Sequence, residues 1–144
     1  VVVDANVCVS AVLSGKGSPA RVLDHALGDG PHDFELYAPS QLFSKLQEVL
    51  NRPKISHRLR WSSGEIELYA RRLRLAVEEI PLGDDARIPR YTSDPEDDPY
   101  VHAAVLVRAS YLVSGDEDIL GMKAPPVPPV TPAQFVKLWD HNLL

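Results

Sequence analysis

Cysteine occurs once in this sequence, at Cys8 inside an apolar run, which excludes an internal disulfide and any zinc site built on several thiolates. A buried, inert thiol is the expectation there. The five histidines, His25, His32, His57, His102 and His141, show no metal-ligand spacing and are expected as surface or capping residues. Aromatic residues make up only 7% of the chain, so Trp61 and Tyr100, which could stack on bases, are expected to pack instead. No apolar stretch approaches the roughly 20 residues that span a bilayer, and no signal-like segment opens the chain, so a reducing cytoplasm is the expected compartment. Repeats and low-complexity segments are missing as well. Positive charge is also short, with 15 Lys and Arg against 20 Asp and Glu and a net charge of −5. That balance argues against a protein that coats nucleic acid through overall positive charge.

What remains is an ordinary globular composition, 144 residues with 44% hydrophobic and 24% charged residues, enough for one core and one domain over residues 1–144. The distribution of charge says more than its total. Arginines and lysines concentrate between Arg52 and Arg74, where Arg52, Lys54, Arg58 and Arg60 open the stretch. Acids dominate from Glu78 to Asp98 and return at Asp116–Asp118. One basic face and one acidic site are expected.

Local signals alternate between strand and helix. Val1–Val3 reads as a short buried strand, with Val7–Leu13 able to continue into a helix. Ser18–Pro19 reads as a helix start and Gly28 as its end. Phe34–Ala38 predicts a second strand. Leu42, Phe43, Leu46, Val49 and Leu50 fall on one face of a helix that stops before Pro53. Ser62–Glu65 has the form of a capping box opening a helix to about Val77, and Glu79–Pro81 reads as extended chain. Asp98–Pro99 predicts a cap and first-turn proline for a helix over Tyr100–Ala109, followed by a strand at Tyr111–Val113. Pro125–Pro129 reads as a stiff connector to a last helix capped by Thr131. The alternation predicts a three-layer α/β/α fold with a central parallel sheet.

Acids stand at the ends of these apolar runs. Asp4 closes the first strand, Asp94–Pro95–Glu96–Asp97–Asp98 precedes a helix, and Asp116 and Asp118 follow the late strand. Each has a bland reading as a turn or cap residue. Together they would meet at one edge of a single sheet under right-handed crossovers, at the carboxyl ends where open α/β folds bind ligands. Carboxylates crowded there repel by roughly 4 kcal/mol per pair at 4 Å and an effective dielectric near 20. A divalent cation relieves that cost, and oxygen-only donors favour Mg²⁺ or Mn²⁺ over zinc.

The motifs Asp4–Ala5–Asn6–Val7 with Ser10–Ala11, Ser40 with Leu50–Asn51–Arg52–Pro53–Lys54, the Asp94–Asp98 run with Ala103–Ala104, Leu112 through Leu120, and Thr131–Pro132 with Phe135 resemble, in that order, the PIN domain. Within it they are similar to the bacterial and archaeal toxin group related to the VapC toxins. The resemblance implies a Mg²⁺- or Mn²⁺-dependent endoribonuclease acting on RNA. Asp4, Asp98 and Asp116 match its catalytic, metal-holding aspartates, Asp118 a frequent extra acid, and Asn6 and Ser114 its supporting polar positions. It also implies a cognate antitoxin and a homodimer. One position departs: where the family carries a glutamate in the helix after the second strand, this chain has Lys45. An ammonium there competes with a cation, yet it could also contact a phosphate as a point charge. Glu48 lies further toward the polar face.

Three rival readings stand beside the nuclease. A catalytically silent PIN-fold module would bind RNA or protein without cutting. A phospho-acceptor receiver domain would need an aspartate after a central strand, whereas Phe34–Ala38 runs into Pro39 and Ser40. Gly15, Gly17 and Ala20 fit a dinucleotide-binding glycine pattern, but that pattern should follow the first strand at once, and Asp4 ends the strand well before it. Arg52, Lys54, Arg58 and Arg60 could track an RNA backbone, or simply form a solvated face.

Overall fold

Five short strands form the centre of the computed structural model, which describes residues 1–144. They are β1 (Val2–Val3), β2 (Tyr37–Pro39), β3 (Glu78–Ile80), β4 (Leu112–Val113) and β5 (Pro129–Val130). They pair in the order β3-β2-β1-β4-β5, and every pair is parallel, with Val2 opposite both Tyr37 and Leu112. Parallel strands need long crossovers, and eight helices supply them. They are α1 (Ala5–Ser14), α2 (Gly17–Leu27), α3 (Gln41–Leu50), α4 (Pro53–Leu59), α5 (Ser63–Ala76), α6 (Asp98–Leu106), α7 (Glu117–Leu120) and α8 (Pro132–Asp140). The result is a three-layer α/β/α fold, as the alternation of elements predicts. Helix α6 packs on β1, β2 and β4, while α1, α2, α3 and α5 pack on one another and α8 joins them through α2. No helix is long and apolar enough to cross a membrane.

The apolar residues of the strands have no polar alternation, because a sheet covered on both faces buries every side chain. Val2, Val3, Leu112 and Val113 are all fully buried. On α3 the predicted face is the buried one, with Leu42, Phe43, Leu46 and Leu50 inside and each buried leucine contributing about 1.5–3 kcal/mol relative to exposure. One apolar cluster runs from Val2 to Val136. Cys8 lies within it, and burial pushes its thiol up, away from the reactive thiolate.

Several boundaries differ from the sequence expectation. Proline accounts for some of them. Helix α3 stops before Pro53 as expected, and Pro53 opens a further helix, α4, that the sequence reading leaves out, because a proline is tolerated in the first turn, where N–H groups have no partners. The stiff connector over Pro125–Pro129 ends in an edge strand, β5, whose first residue is Pro129; an edge leaves the missing N–H unneeded. The second strand lies three residues later at its start than Phe34, and that ring instead meets Phe135 edge-on at 4.9 Å. Helix α2 begins at Gly17, one residue before the expected Ser18 cap. His25 is not a surface residue. It packs among Phe34 and Trp139 at ring distances of 4.8 and 4.6 Å, and its Nε2 accepts from the Asp33 N–H at 2.9 Å. Gly15 takes the left-handed φ of 63° that ends α1, so the glycine pattern there is a helix terminus.

The chain leaves β1 for β2 and β3 on one side of the sheet and returns to β4 and β5 on the other. This reversal opens a crevice beyond the carboxyl ends of β1 and β4. Asp4 follows β1 directly and Ser114 follows β4 directly.

Candidate metal centre

Asp4 is built into the crevice by its place between a strand and a helix. It caps α1, with Oδ1 accepting the Val7 N–H at 2.9 Å, and it is 3% exposed. Its other oxygen accepts from the Ser114 hydroxyl, which is itself buried. That hydroxyl in turn accepts the Asp116 N–H at 2.9 Å. One serine therefore ties the end of β1 to the turn after β4. Burial raises the Asp4 carboxyl to about 6, and the nearby Asp116 charge adds to the rise, while the Ser114 and Val7 donors oppose it.

Asp116 caps α7, its Oδ1 accepting the Asp118 N–H at 2.8 Å. The bland capping role and a place at the crevice therefore coexist in one residue. Asp118 is exposed, and its Oδ1 accepts from Ser93 Oγ at 2.7 Å. Asn6, exposed in the first turn of α1, also lines the cleft.

The third segment departs from expectation by one residue. Helix α6 starts at Asp98, so Asp97 is its cap and Pro99 sits second in the helix. Asp98, expected among the catalytic and metal-holding acids, is 2% exposed and turned toward the preceding loop. Its Oδ1 accepts from the Tyr91 and Thr92 N–H groups at 2.9 and 2.8 Å and from Thr92 Oγ1 at 3.1 Å. Its Oδ2 lies 2.8 Å from Arg90 Nε, a charge contact without hydrogen-bond alignment. Both oxygens brace residues 90–92. Asp97 is the residue that faces the other acids. Oxygens of Asp94, Asp97 and Asp118 lie within 4.8 Å of one another, and Asp97 Oδ2 is sealed from solvent with no hydrogen-bond partner. Burial first, then the charges of Asp116, Asp94, Asp4 and Asp118, push the Asp97 carboxyl up to about 7.

Asp97 and Asp94 were thus legible only as members of an acidic run. A proline most often takes the first helical position, which points to Asp98 as cap. The tolerance of the whole first turn for proline allows the shift by one.

All of these acids except Asp118 line a cleft of about 570 Å³. Eight of its residues carry carboxylates, against two cations, Lys45 and Arg90. Lys45 reaches it from α3, where its Nζ lies 3.2 Å from Glu96 and 3.7 Å from Glu48. Glu48, placed by the helical wheel toward the polar face, also borders the cleft. Of the basic stretch, Arg52 pairs with Glu48 at 3.0 Å; Lys54, Arg58 and Arg60 are exposed on or beside α4 and line no part of the cleft. Tyr100 is buried at the cleft floor, and Trp61 packs on Tyr69 at 5.6 Å.

The donor set fits a hard divalent cation. A carboxyl raised toward neutrality by burial and by four like charges, with one oxygen unpartnered, is stabilised by a cation in place of a proton. Comparison with known proteins agrees with this arrangement. A sequence model of the PIN domain matches residues 1–118, and the chain belongs to that family, whose members are generally metal-dependent nucleases. No curated protein and no solved structure matches the chain. The match takes in every acid described above and stops within α7, so β5 and α8 lie beyond it.

Proposed function

We propose that this chain is a Mg²⁺- or Mn²⁺-dependent endoribonuclease that hydrolyses RNA phosphodiesters. In this reading Asp94, Asp97 and Asp118 hold the cation beside Asp4 and Asp116, and Asp97 takes the place that the family resemblance gives to Asp98. The observation that carries it is the sealed, unpartnered Asp97 Oδ2 among four other carboxylates. The bound ion would polarise a phosphoryl oxygen and lower the pKa of water beside it. The protein supplies the positions. Ser114 and the Val7 N–H hold Asp4 in one orientation, the Ser114 hydroxyl holds the Asp116 backbone, and Ser93 holds Asp118. Asp98 keeps the 90–92 loop against the mouth of α6.

The toxin role, a cognate antitoxin, homodimerisation and a cytoplasmic setting belong to the same proposal, supported by the resemblance to the VapC-related group. A silent PIN-fold module is the second reading, favoured by the Lys45 ammonium on the cleft wall. One experiment separates them. Structured RNAs are incubated with Mn²⁺ and wild-type, Asp4→Asn or Asp97→Asn protein. Endonucleolytic products from the wild type alone support the enzyme. Mn²⁺ binding without any cleavage across a broad RNA panel supports the silent module.

A further inference from the structure

We infer that Lys45 is the phosphate-recognition residue of the cleft, and that its ammonium leaves Glu96 to contact a non-bridging oxygen of the RNA backbone. This rests on the nuclease reading and names how that site takes a polyanion.

The argument starts from charge. A cleft with eight carboxylates repels a phosphodiester unless cations offset them, and only Lys45 and Arg90 among its residues carry positive charge. Arg90 is committed elsewhere. Its Nε lies against the buried Asp98 carboxylate at 2.8 Å, and its Nη2 donates to the Thr92 and Ser93 carbonyls at 3.1 and 3.4 Å. Releasing it would leave the buried Asp98 carboxylate without its counter-charge, an unfavourable state for a charge removed from water. Lys45 is differently placed. Its partners Glu96 and Glu48 are 71% and 59% exposed, and ion pairs so open to solvent contribute little. The ammonium offers three donors on a flexible stem that α3 fixes at the cleft wall, so it can trade a solvated carboxylate for a phosphate at little cost.

The surroundings favour the exchange. Glu96 belongs to the same turn as Asp94 and Asp97, its N–H donating to Asp94 Oδ1 at 3.0 Å. The Lys45–Glu96 pair therefore bridges α3 to the acid-bearing segment, across the space a strand of nucleic acid would enter. Arg52, one turn along from Glu48 and paired with it, lies just outside the cleft and continues the positive track toward α4.

The test is a titration of a short single-stranded RNA, with Ca²⁺ in place of Mn²⁺ and the RNA checked for intactness, over about 0.05 to 0.2 M salt. Lys45→Gln is expected to weaken binding about fivefold near 0.1 M salt and to reduce the slope of log K against log salt by about 0.7, the value of one single-strand phosphate contact. Glu96→Gln is expected to tighten binding by removing the competitor. Unchanged affinity and slope in Lys45→Gln, no RNA binding by the wild type, or faster cleavage by Lys45→Glu would each overturn the inference. Thermal stabilisation by Mn²⁺, measured without RNA on the same proteins, reports the metal centre separately. If wild type and Lys45→Gln both respond to Mn²⁺ while the salt slope stays fixed, only the role of Lys45 fails. If the wild type shows no response, the metal-centre reading fails.

Discussion

Asp97 and Asp98 are adjacent in the chain, but their carboxylates face opposite environments: Asp98 turns back to the backbone of Tyr91 and Thr92, and Asp97 turns outward to Asp94 and Asp118. The division follows from the start of α6. The capping residue projects past the helix end, while the first helical residue folds against the entering chain. Substitutions at the two positions should therefore separate cation binding from folding.

Mn²⁺ at about one hundred times its dissociation constant should add about 2.7 kcal/mol to stability. Asp97→Asn should remove most of that gain while leaving the metal-free protein as stable as the wild type or more so, since it relieves repulsion. Asp98→Ala should cost about 1–3 kcal/mol with or without metal, because it leaves the part-buried Tyr91 and Thr92 N–H groups unmatched and frees the largely exposed Arg90. Urea denaturation with and without Mn²⁺ checks both. Equal loss of the Mn²⁺ response in the two variants would contradict the division of labour.

Stability without metal should depend on pH with a definite sign. Asp4 and Asp97 have folded values of about 6 and about 7, both above the ordinary 3.8. The folded state therefore binds more protons than the unfolded chain between those limits, and stability falls as pH rises from about 4 to about 7. Their contribution is fully present below pH 4. Saturating Mn²⁺ should flatten this decline, and its binding near pH 6 should release protons. Calorimetry in two buffers of different ionisation heat measures the release. Stability that rises over this window would count against the raised values.

Ser114→Ala deletes a donor to Asp4 and an acceptor of the Asp116 N–H in one step. A loss of about 1–3 kcal/mol is expected, the cost of leaving buried polar groups unmatched. The Asp4 carboxyl should rise further, so Mn²⁺ binding should need a higher pH than in the wild type. A binding curve against pH that does not move would show that the serine only fills space.

Phe135→Ala tests the segment beyond the family match. Phe135 is fully buried, meets Phe34 edge-on and sits on α8, which the Arg21–Asp140 ion pair also ties to α2. A loss of about 3–5 kcal/mol is expected, with Mn²⁺ affinity of the folded fraction unchanged. Denaturation midpoints and calorimetry on the same sample distinguish the two quantities.

Much of this architecture could be read from residue order, and the reasons are local. Val1–Val3 ending in Asp4, and Tyr111–Val113 ending in Ser114, are apolar runs too short for anything but buried strands, so their termini place Asp4 and Asp116 at one edge. Thr131 and Gln134 form both halves of a capping box, as their spacing suggests. Some of the misreadings share a cause. Proline excludes few conformations in a first turn or at a sheet edge, so Pro99 and Pro129 each permit more than one boundary, and Pro53, before which α3 does stop, can open a helix of its own. At Pro99 the ambiguity of one residue decides which aspartate caps α6, and the hydrogen bonds of Asp98 to a loop seven residues upstream are not legible in the spacing. The packing of His25 between Phe34 and Trp139 depends on α8 returning to α2, a contact that no spacing near His25 reveals.

The serine that joins the two halves of the crevice has a consequence for biosynthesis. Asp4 is made before its partners, the hydroxyl that orients it lies 110 positions later, and Asp116 and Asp118 follow that hydroxyl. A nascent chain therefore cannot hold Asp4 in its final orientation until β4 and the turn after it have been made, so the acid cluster forms only once segments from both halves of the sheet have met.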